Sequence, residues 1–373
     1  MILVSGLFIY PTKVGGAENY FYNLLKGLTT LKEESNYQLL LQEKFKDKFD
    51  PVVNKYQSQF VNLNVNRGVY EYLTPFLLKD FKKYFKFFFP NYITPLLNNN
   101  HASYYTTIHD LLYKNYPEFF KPTKRNWLYL SHLNTLYHAQ KVIVPSEFVK
   151  NDIVKHFGSK YEPKIEVIHN PIDMTRFDNK GNNVNGKTLN FPYIFSVANL
   201  YPHKNTLTLI KAFKLFNKHY PDVKLVLTGQ LPDNLKGELY LDYQKKLKEF
   251  IQSDPNIIIT GYVDEDYLAY LYRNCLYFVF PSLFEGFGMP PVEAMGLGIP
   301  TITTRVSSIE EVTQKKAIYM DDPTNQIELM EKMIYTYENL DKLKAQFREQ
   351  ASSIIQPFKP EVIAKKYHNL MAA

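Results

Sequence analysis

Two glutamates eight positions apart, with two glycines between them, are the residues of this sequence best placed to do chemistry: Glu285-Gly286-Phe287-Gly288-Met289-Pro290-Pro291-Val292-Glu293. Glycines let a backbone approach a ligand closely and leave N–H groups free to donate. A loop that empties into a helix N-terminus also favours an anion such as a pyrophosphate. Glu293 falls in the first turns of that helix, where a carboxylate can accept both hydroxyls of a ribose, as acidic side chains do in dinucleotide folds. Glu285 lies before the glycines, so one carboxylate can face a nucleotide and the other the group attached to it.

The flanking residues say which elements hold these groups. Leu276 to Phe280 has the length and composition of a strand. A turn follows at 281–284. Pro290 or Pro291 suits a first helical turn, and Gly298-Ile299-Pro300 stops the helix. Thr301 to Thr304 resumes the sheet. The unit reads as strand, glycine loop, helix, strand.

Within EGFGMPPVEAM, the register of two glutamates, two glycines and a proline closely resembles the signature of retaining glycosyltransferases of family 4. The resemblance implies an α/β fold of GT-B type, with two Rossmann-like domains whose parallel sheets face across a cleft. It is sharp at 276–305, moderate at 193–210 and 104–173, and faint at 50–100. Without it, the same stretch is an ordinary βαβ unit with Glu293 as a helix-start charge and Glu285 as a solvated loop acid.

Composition agrees with two domains. The chain has 373 residues, 45% of them hydrophobic, enough for two cores. A net charge of +7 suits an anionic ligand or membrane face and is too small to argue for nucleic acid. The single cysteine, Cys275, excludes a disulfide framework or cysteine metal cluster and fits a reducing compartment. No basic region opens the N-terminus as in a signal peptide, and no long apolar run spans a bilayer.

Along the first domain, residues 1–5 read as a strand feeding Gly15-Gly16 and a helix marked by Phe21, Leu24, Leu25 and Leu28. Gly-Gly after a first strand is either a turn or a phosphate approach; the resemblance places Gly15 and Gly16 against donor phosphates. Glu18 reads as a helix N-terminal charge. Strands are expected at Gln38–Leu41, Phe60–Val65 and Tyr104–Ile108. Between Tyr70 and Phe89 the aromatics Phe81, Tyr84, Phe85 and Phe88 oppose Lys79, Lys82, Lys83 and Lys86 at helical spacing. Such a helix over 79–89 either packs its aromatics on the sheet or lies on an anionic membrane. His109 follows a strand, at the end where α/β proteins bind ligands, and the resemblance places it on the transferred sugar; Asp110 reads as a cap. Trp127, Leu130, Leu133 and Tyr137 mark a helix, and Ser146 a helix N-cap.

A polar stretch over 178–190 reads as a linker. Alternating strands and helices then imply a second parallel sheet. Its first loop, Asn199-Leu200-Tyr201-Pro202-His203-Lys204-Asn205, sits where phosphate loops sit. Lys204 matches the family's phosphate-binding lysine. The family's neighbouring arginine is replaced by His203, so the second phosphate contact falls to His203 or Asn199. Asp264-Glu265-Asp266 precedes a helix and reads as a cap, not a metal site. The expected domains are 1–175, with a C-terminal helix in 355–373 packing back, and 176–354.

The resemblance implies transfer of a hexose, with retention and without metal or cofactor, from a nucleotide diphosphate sugar to a glycan or lipid-linked acceptor. GDP-mannose is the favoured donor and surface-polysaccharide assembly the setting. Glu285 and His109 are the expected catalytic pair. Gly15, Gly16, Asn199, His203, Lys204, Gly286, Phe287, Gly288 and Glu293 are the expected donor-binding set. No nucleic acid partner is expected. The setting implies a cytoplasmic location, with peripheral contact of 79–89 on the inner face of the plasma membrane as a companion expectation. The competing readings are a nucleotide-sugar epimerase of the same architecture and a non-catalytic nucleotide-binding protein.

Overall fold

The computed structural model describes residues 1–11, 15–96, 102–178, 188–197, 201–229 and 238–372. The chain divides into a first unit, Met1–Asp173 with Pro357–Ala373, and a second, Met174–Gln356. Each is built on one parallel sheet.

The first sheet contains β1 (Ile2–Ser5), β2 (Tyr37–Gln42), β3 (Gln57–Val61), β4 (Lys86–Phe89), β5 (Ser103–Thr107), β6 (Lys141–Val144) and β7 (Ile165–Val167). Its order is β3-β2-β1-β4-β5-β6-β7. The second contains β8 (Tyr193–Val197), β9 (Lys224–Thr228), β10 (Ile257–Gly261), β11 (Phe278–Phe280), β12 (Thr301–Thr304) and β13 (Ile318–Met320), ordered β10-β9-β8-β11-β12-β13. In both, the order reverses beside the first strand. The loops after β1 and β4, and after β8 and β11, therefore diverge to opposite faces and leave a crevice at the carboxyl ends of the strands.

Strands buried on both faces read as continuous apolar runs, which explains the main departure from expectation. Residues 79–89 form no amphipathic helix. Phe81–Lys83 is a short 3-10 turn, and Lys86–Phe89 is a strand in the middle of the sheet, paired with β1 and β5. Phe88 packs on one face with Phe21, Leu24 and Leu28; Phe87 and Phe89 pack on the other with Tyr104. Three consecutive phenylalanines are thus all buried. Lys86 reaches the carbonyls of Met371 and Ala372 at 2.7 and 3.2 Å. The lysines sit at helical spacing by coincidence, and the basis for a membrane-lying helix disappears. Two smaller corrections follow. The strand expected at Phe60–Val65 is Gln57–Val61. The helix Pro122–His138 buries Leu128, His132, Thr135 and Leu136, leaving Leu130 and Tyr137 exposed.

Helix Pro360–Ala372 belongs to the first unit. It packs on helix Gly16–Thr30, contributing Ile363, Ala364, Tyr367 and Met371 to that core. The contact is close enough that a Cβ on Gly27 would stand 2.1 Å from the Pro360 carbonyl oxygen. No helix among the described residues is long and apolar enough to cross a membrane.

Candidate active site

In the second unit, β8 and β11 are neighbours, with Phe195 opposite Phe278. The loops leaving them are stitched together. Asn199 lies outside the described residues. From Tyr201 the chain makes a 3-10 turn, Pro202–Lys204, and enters helix Thr206–Phe216 through Asn205 at φ +58°. That left-handed conformation is one Asn tolerates, and here the side chain is used as well. Its amide donates to the carbonyls of Pro281 (3.0 Å) and Pro323 (2.5 Å). The His203 carbonyl accepts from Leu283 N–H at 2.7 Å and lies 3.0 Å from the Ser282 hydroxyl.

This stitching brings Lys204 to Glu285. The ammonium lies 2.6 Å from Oε1, and the Ser282 hydroxyl lies 2.7 Å from the same oxygen. Both charged side chains are largely buried. The loop backbone is held from the β12 side: Glu285 N–H donates to Ser307 Oγ at 2.9 Å, and Ser308 Oγ lies 2.9 Å from the carbonyls of both Glu285 and Phe287. Ser282 and Ser308 are fully buried. Sequence reasoning passed over these serines and Asn205, since the partners that tie the two loops together lie 21 to 118 positions away. The one local hint was an Asn directly before a helix.

Gly288 starts the helix Met289–Gly296 at φ +90°, a conformation that costs any other residue. Pro290 and Pro291 both fall in the first turn. Neither carries an N–H, so this helix offers an anion fewer donors than a helix terminus normally does. Cationic charge at the site comes from Lys204. Phe287 is buried. Glu293 is buried with partners of its own: its Oε1 lies 3.6 Å from the Arg176 guanidinium and its Oε2 accepts from the Tyr272 hydroxyl at 3.4 Å. His203 stacks on Tyr201, and burial, then the charge of Lys204, pushes its pKa down to about 3. It is a neutral hydrogen-bonding group and cannot supply the missing positive charge. Asp264 accepts from Tyr267 N–H at 2.8 Å, the cap read from its position.

In the first unit, Gly15 is the N-cap of helix Gly16–Thr30, and the Glu18 carboxylate takes the backbone N–H groups of Gly15 and Glu18. That places an acid where a phosphate approach was expected. His109 follows β5. Its Nε2 lies 2.9 Å from the Pro90 carbonyl, which can only accept, so Nε2 carries the proton and Nδ1 is left as an acceptor. Burial lowers its pKa, keeping the ring neutral. The ring stands edge-on to Tyr20, whose hydroxyl contacts Thr107 and Tyr367. Asp110 caps the turn at Leu112.

Residues 178–353 match the family described as glycosyl transferases group 1, and residues 84–176 match glycosyltransferase family 4. The chain is 24% identical over 344 residues to O-antigen chain mannosyltransferase B of Escherichia coli, covering 84% of each. It is 27% identical over 230 residues to O-antigen chain mannosyltransferase RfbU of Salmonella typhimurium, covering 61% of this chain and 58% of that one. A 125-residue stretch is 38% identical to serotype-specific mannosyltransferase WbdA of Escherichia coli but spans only 14% of it. Among solved structures, Anabaena HepE in complex with UDP and glucose superposes with a TM-score of 0.76 over 100% of this chain and 99% of that one, at 17% identity. Sucrose-phosphate synthase from Thermosynechococcus elongatus gives 0.74, at 17% identity, over 99% and 97%. A chain with these two sheets and these matched domains is a glycosyltransferase of the GT-B class. More narrowly, it belongs to glycosyltransferase family 4, with O-antigen mannosyltransferases among its relatives.

Proposed function

We propose that this protein moves a hexose, with retention and without a metal, from a nucleotide diphosphate sugar to a glycan or lipid-linked acceptor of surface-polysaccharide assembly. GDP-mannose is the favoured donor, on the names of the relatives. The observation that carries the reading is the Lys204–Glu285 pair at the switch point of the second sheet. A departing nucleoside diphosphate gains negative charge, and a fixed ammonium in a poorly solvated site stabilises it. Lys204 is proposed to take the diphosphate. Glu285, which already holds Lys204, is proposed to meet the transferred sugar, joined by backbone N–H groups of the loop at Gly286, Phe287 and Gly288. Glu293 is proposed to receive the ribose diol. His109 is proposed to accept from a sugar hydroxyl through Nδ1, and Gly15 and Gly16 to approach the phosphates once Glu18 yields the Gly15 N–H. An oxocarbenium-like state would draw on these contacts more strongly than the bound donor does.

A thermal-shift screen of UDP-, GDP- and dTDP-sugars tests the donor class, with GDP-mannose expected to stabilise most. NMR of the product's anomeric centre tests retention, and unchanged turnover in EDTA tests the metal-free reading. A donor converted to an epimerised nucleotide sugar without acceptor would replace transfer by epimerisation.

A further inference from the structure

We infer that Arg176 and Tyr272 are positioning residues that aim Glu293 at the two hydroxyls of the donor's ribose, so that discrimination against a 2′-deoxyribose donor depends on them. This rests on the reading of Glu293 given above and extends it to residues that no sequence motif contains.

A carboxylate with 5% of its surface exposed is costly to keep ionised unless cations or donors face it. Here both oxygens are faced, one from each side. Arg176 comes from the turn Met174–Phe177 and reaches Oε1; Tyr272 comes from helix Glu265–Asn274 and reaches Oε2. A carboxylate oxygen only accepts, so the Tyr272 hydroxyl donates. Burial holds that hydroxyl well above its ordinary pKa, which keeps its proton in place.

The distances matter. At 3.6 and 3.4 Å, both contacts are longer than the roughly 2.7–2.9 Å of a full charge-assisted hydrogen bond. An ionised carboxylate has about four acceptor positions, so neither oxygen is saturated. Two vicinal hydroxyls need such a pair of oxygens, held at a fixed rotation.

The rotation is fixed by a shared aromatic block. The Tyr272 ring is edge-on to Phe177 (5.5 Å) and Phe195 (5.0 Å), and 5.3 Å from Phe278. The Arg176 guanidinium lies 4.8 Å over the ring of Phe177. Both partners of Glu293 are therefore anchored to one core and cannot follow the carboxylate if it turns.

The test is calorimetric binding of GDP and 2′-deoxy-GDP, and of UDP and 2′-deoxy-UDP, to the full chain and to Arg176→Lys, Tyr272→Phe and Glu293→Gln, with thermal melts in parallel. Wild type is expected to prefer the ribonucleotide of its own base about tenfold or more, the value of one lost bond to a charged group. Glu293→Gln should abolish most of the preference. Arg176→Lys and Tyr272→Phe should cut it to about threefold while leaving the deoxynucleotide's affinity nearly unchanged. Folded variants with the wild-type ratio would overturn the inference and leave the donor reading intact. Wild type binding ribo and deoxy forms equally would overturn it together with the ribose role of Glu293. Wild type binding no nucleotide would overturn both the inference and the donor reading.

Discussion

The two units share a topology and use it differently. Each sheet reverses its order beside its first strand. At the second unit's reversal the chain buries a charged pair, Lys204 and Glu285, and fixes it with serine hydroxyls and carbonyls from both adjoining loops. Beside the first unit's reversal, a neutral histidine from the loop after β5 sits on the carbonyl of Pro90, after β4, and Glu18 covers the Gly15 N–H. One fold thus offers a pre-formed ion pair in one unit and a neutral imidazole beside a glycine turn faced by an acid in the other. The contrast teaches that the glycine turn alone does not make a phosphate site; what fills its N–H groups decides.

The contrast can be broken most sharply at Glu285. Glu285→Ala is expected to lower sugar transfer by about 100-fold or more, the scale of a lost transition-state contact, with Glu285→Gln intermediate; radiolabelled transfer assays measure both. His109→Ala should cost less if the first unit's contribution is an uncharged one. Next comes the glycine that packs against a helix. Gly27→Ala places a methyl against the Pro360 backbone and should destabilise the protein by about 3 kcal/mol, read from urea midpoints. Gly288→Ala meets nothing closer than 3.7 Å; its cost is the left-handed backbone, about 1–2 kcal/mol. Ser282→Ala removes a fully buried hydroxyl that faces Glu285 and His203. A loss of about 1–2 kcal/mol is expected, along with a lower kcat, because Lys204 and Glu285 lose their brace.

Acid pH gives the gentlest comparison, since each unit carries one histidine pushed down to about 3, His132 in the first and His203 in the second. Burial is the larger cause in both, followed by a neighbouring lysine, Lys114 or Lys204. The unfolded chain protonates these rings near pH 6.5. Their contribution is therefore complete above about pH 6.5 and is withdrawn as pH falls toward 3. Urea midpoints at pH 7 and 5 should differ less in His203→Phe than in wild type, by at most about 2 kcal/mol.

Where local pattern decides, sequence reading succeeded. The strand–loop–helix–strand around Gly286, the caps at Ser146 and Asp264, and the alternation of the second sheet all rest on neighbours a few positions apart. Where burial on both faces decides, it failed. Phe87-Phe88-Phe89 carries no alternation because both sides of β4 are covered, and the lysines around it supplied a false helical period. In helix Pro122–His138 the buried stripe includes Ser131, His132 and Thr135, which hydrophobic spacing does not mark. Lys204 and Glu285 were legible as separate residues, but their 2.6 Å contact was not. Arg176 was illegible altogether, because its partner Glu293 is over a hundred positions away and nothing local distinguishes it.

The placement of residues 360–372 bears on how the chain is made. A ribosome releases the first unit's strands early, and domains tend to fold as they emerge. Yet the core between its sheet and helix Gly16–Thr30 includes Ile363, Tyr367 and Met371, so it stays unsealed until the whole second unit has been synthesised. The unit whose strands are made earlier thus depends for its core on a helix made after the second unit, and a chain cut before residue 360 would leave that core open.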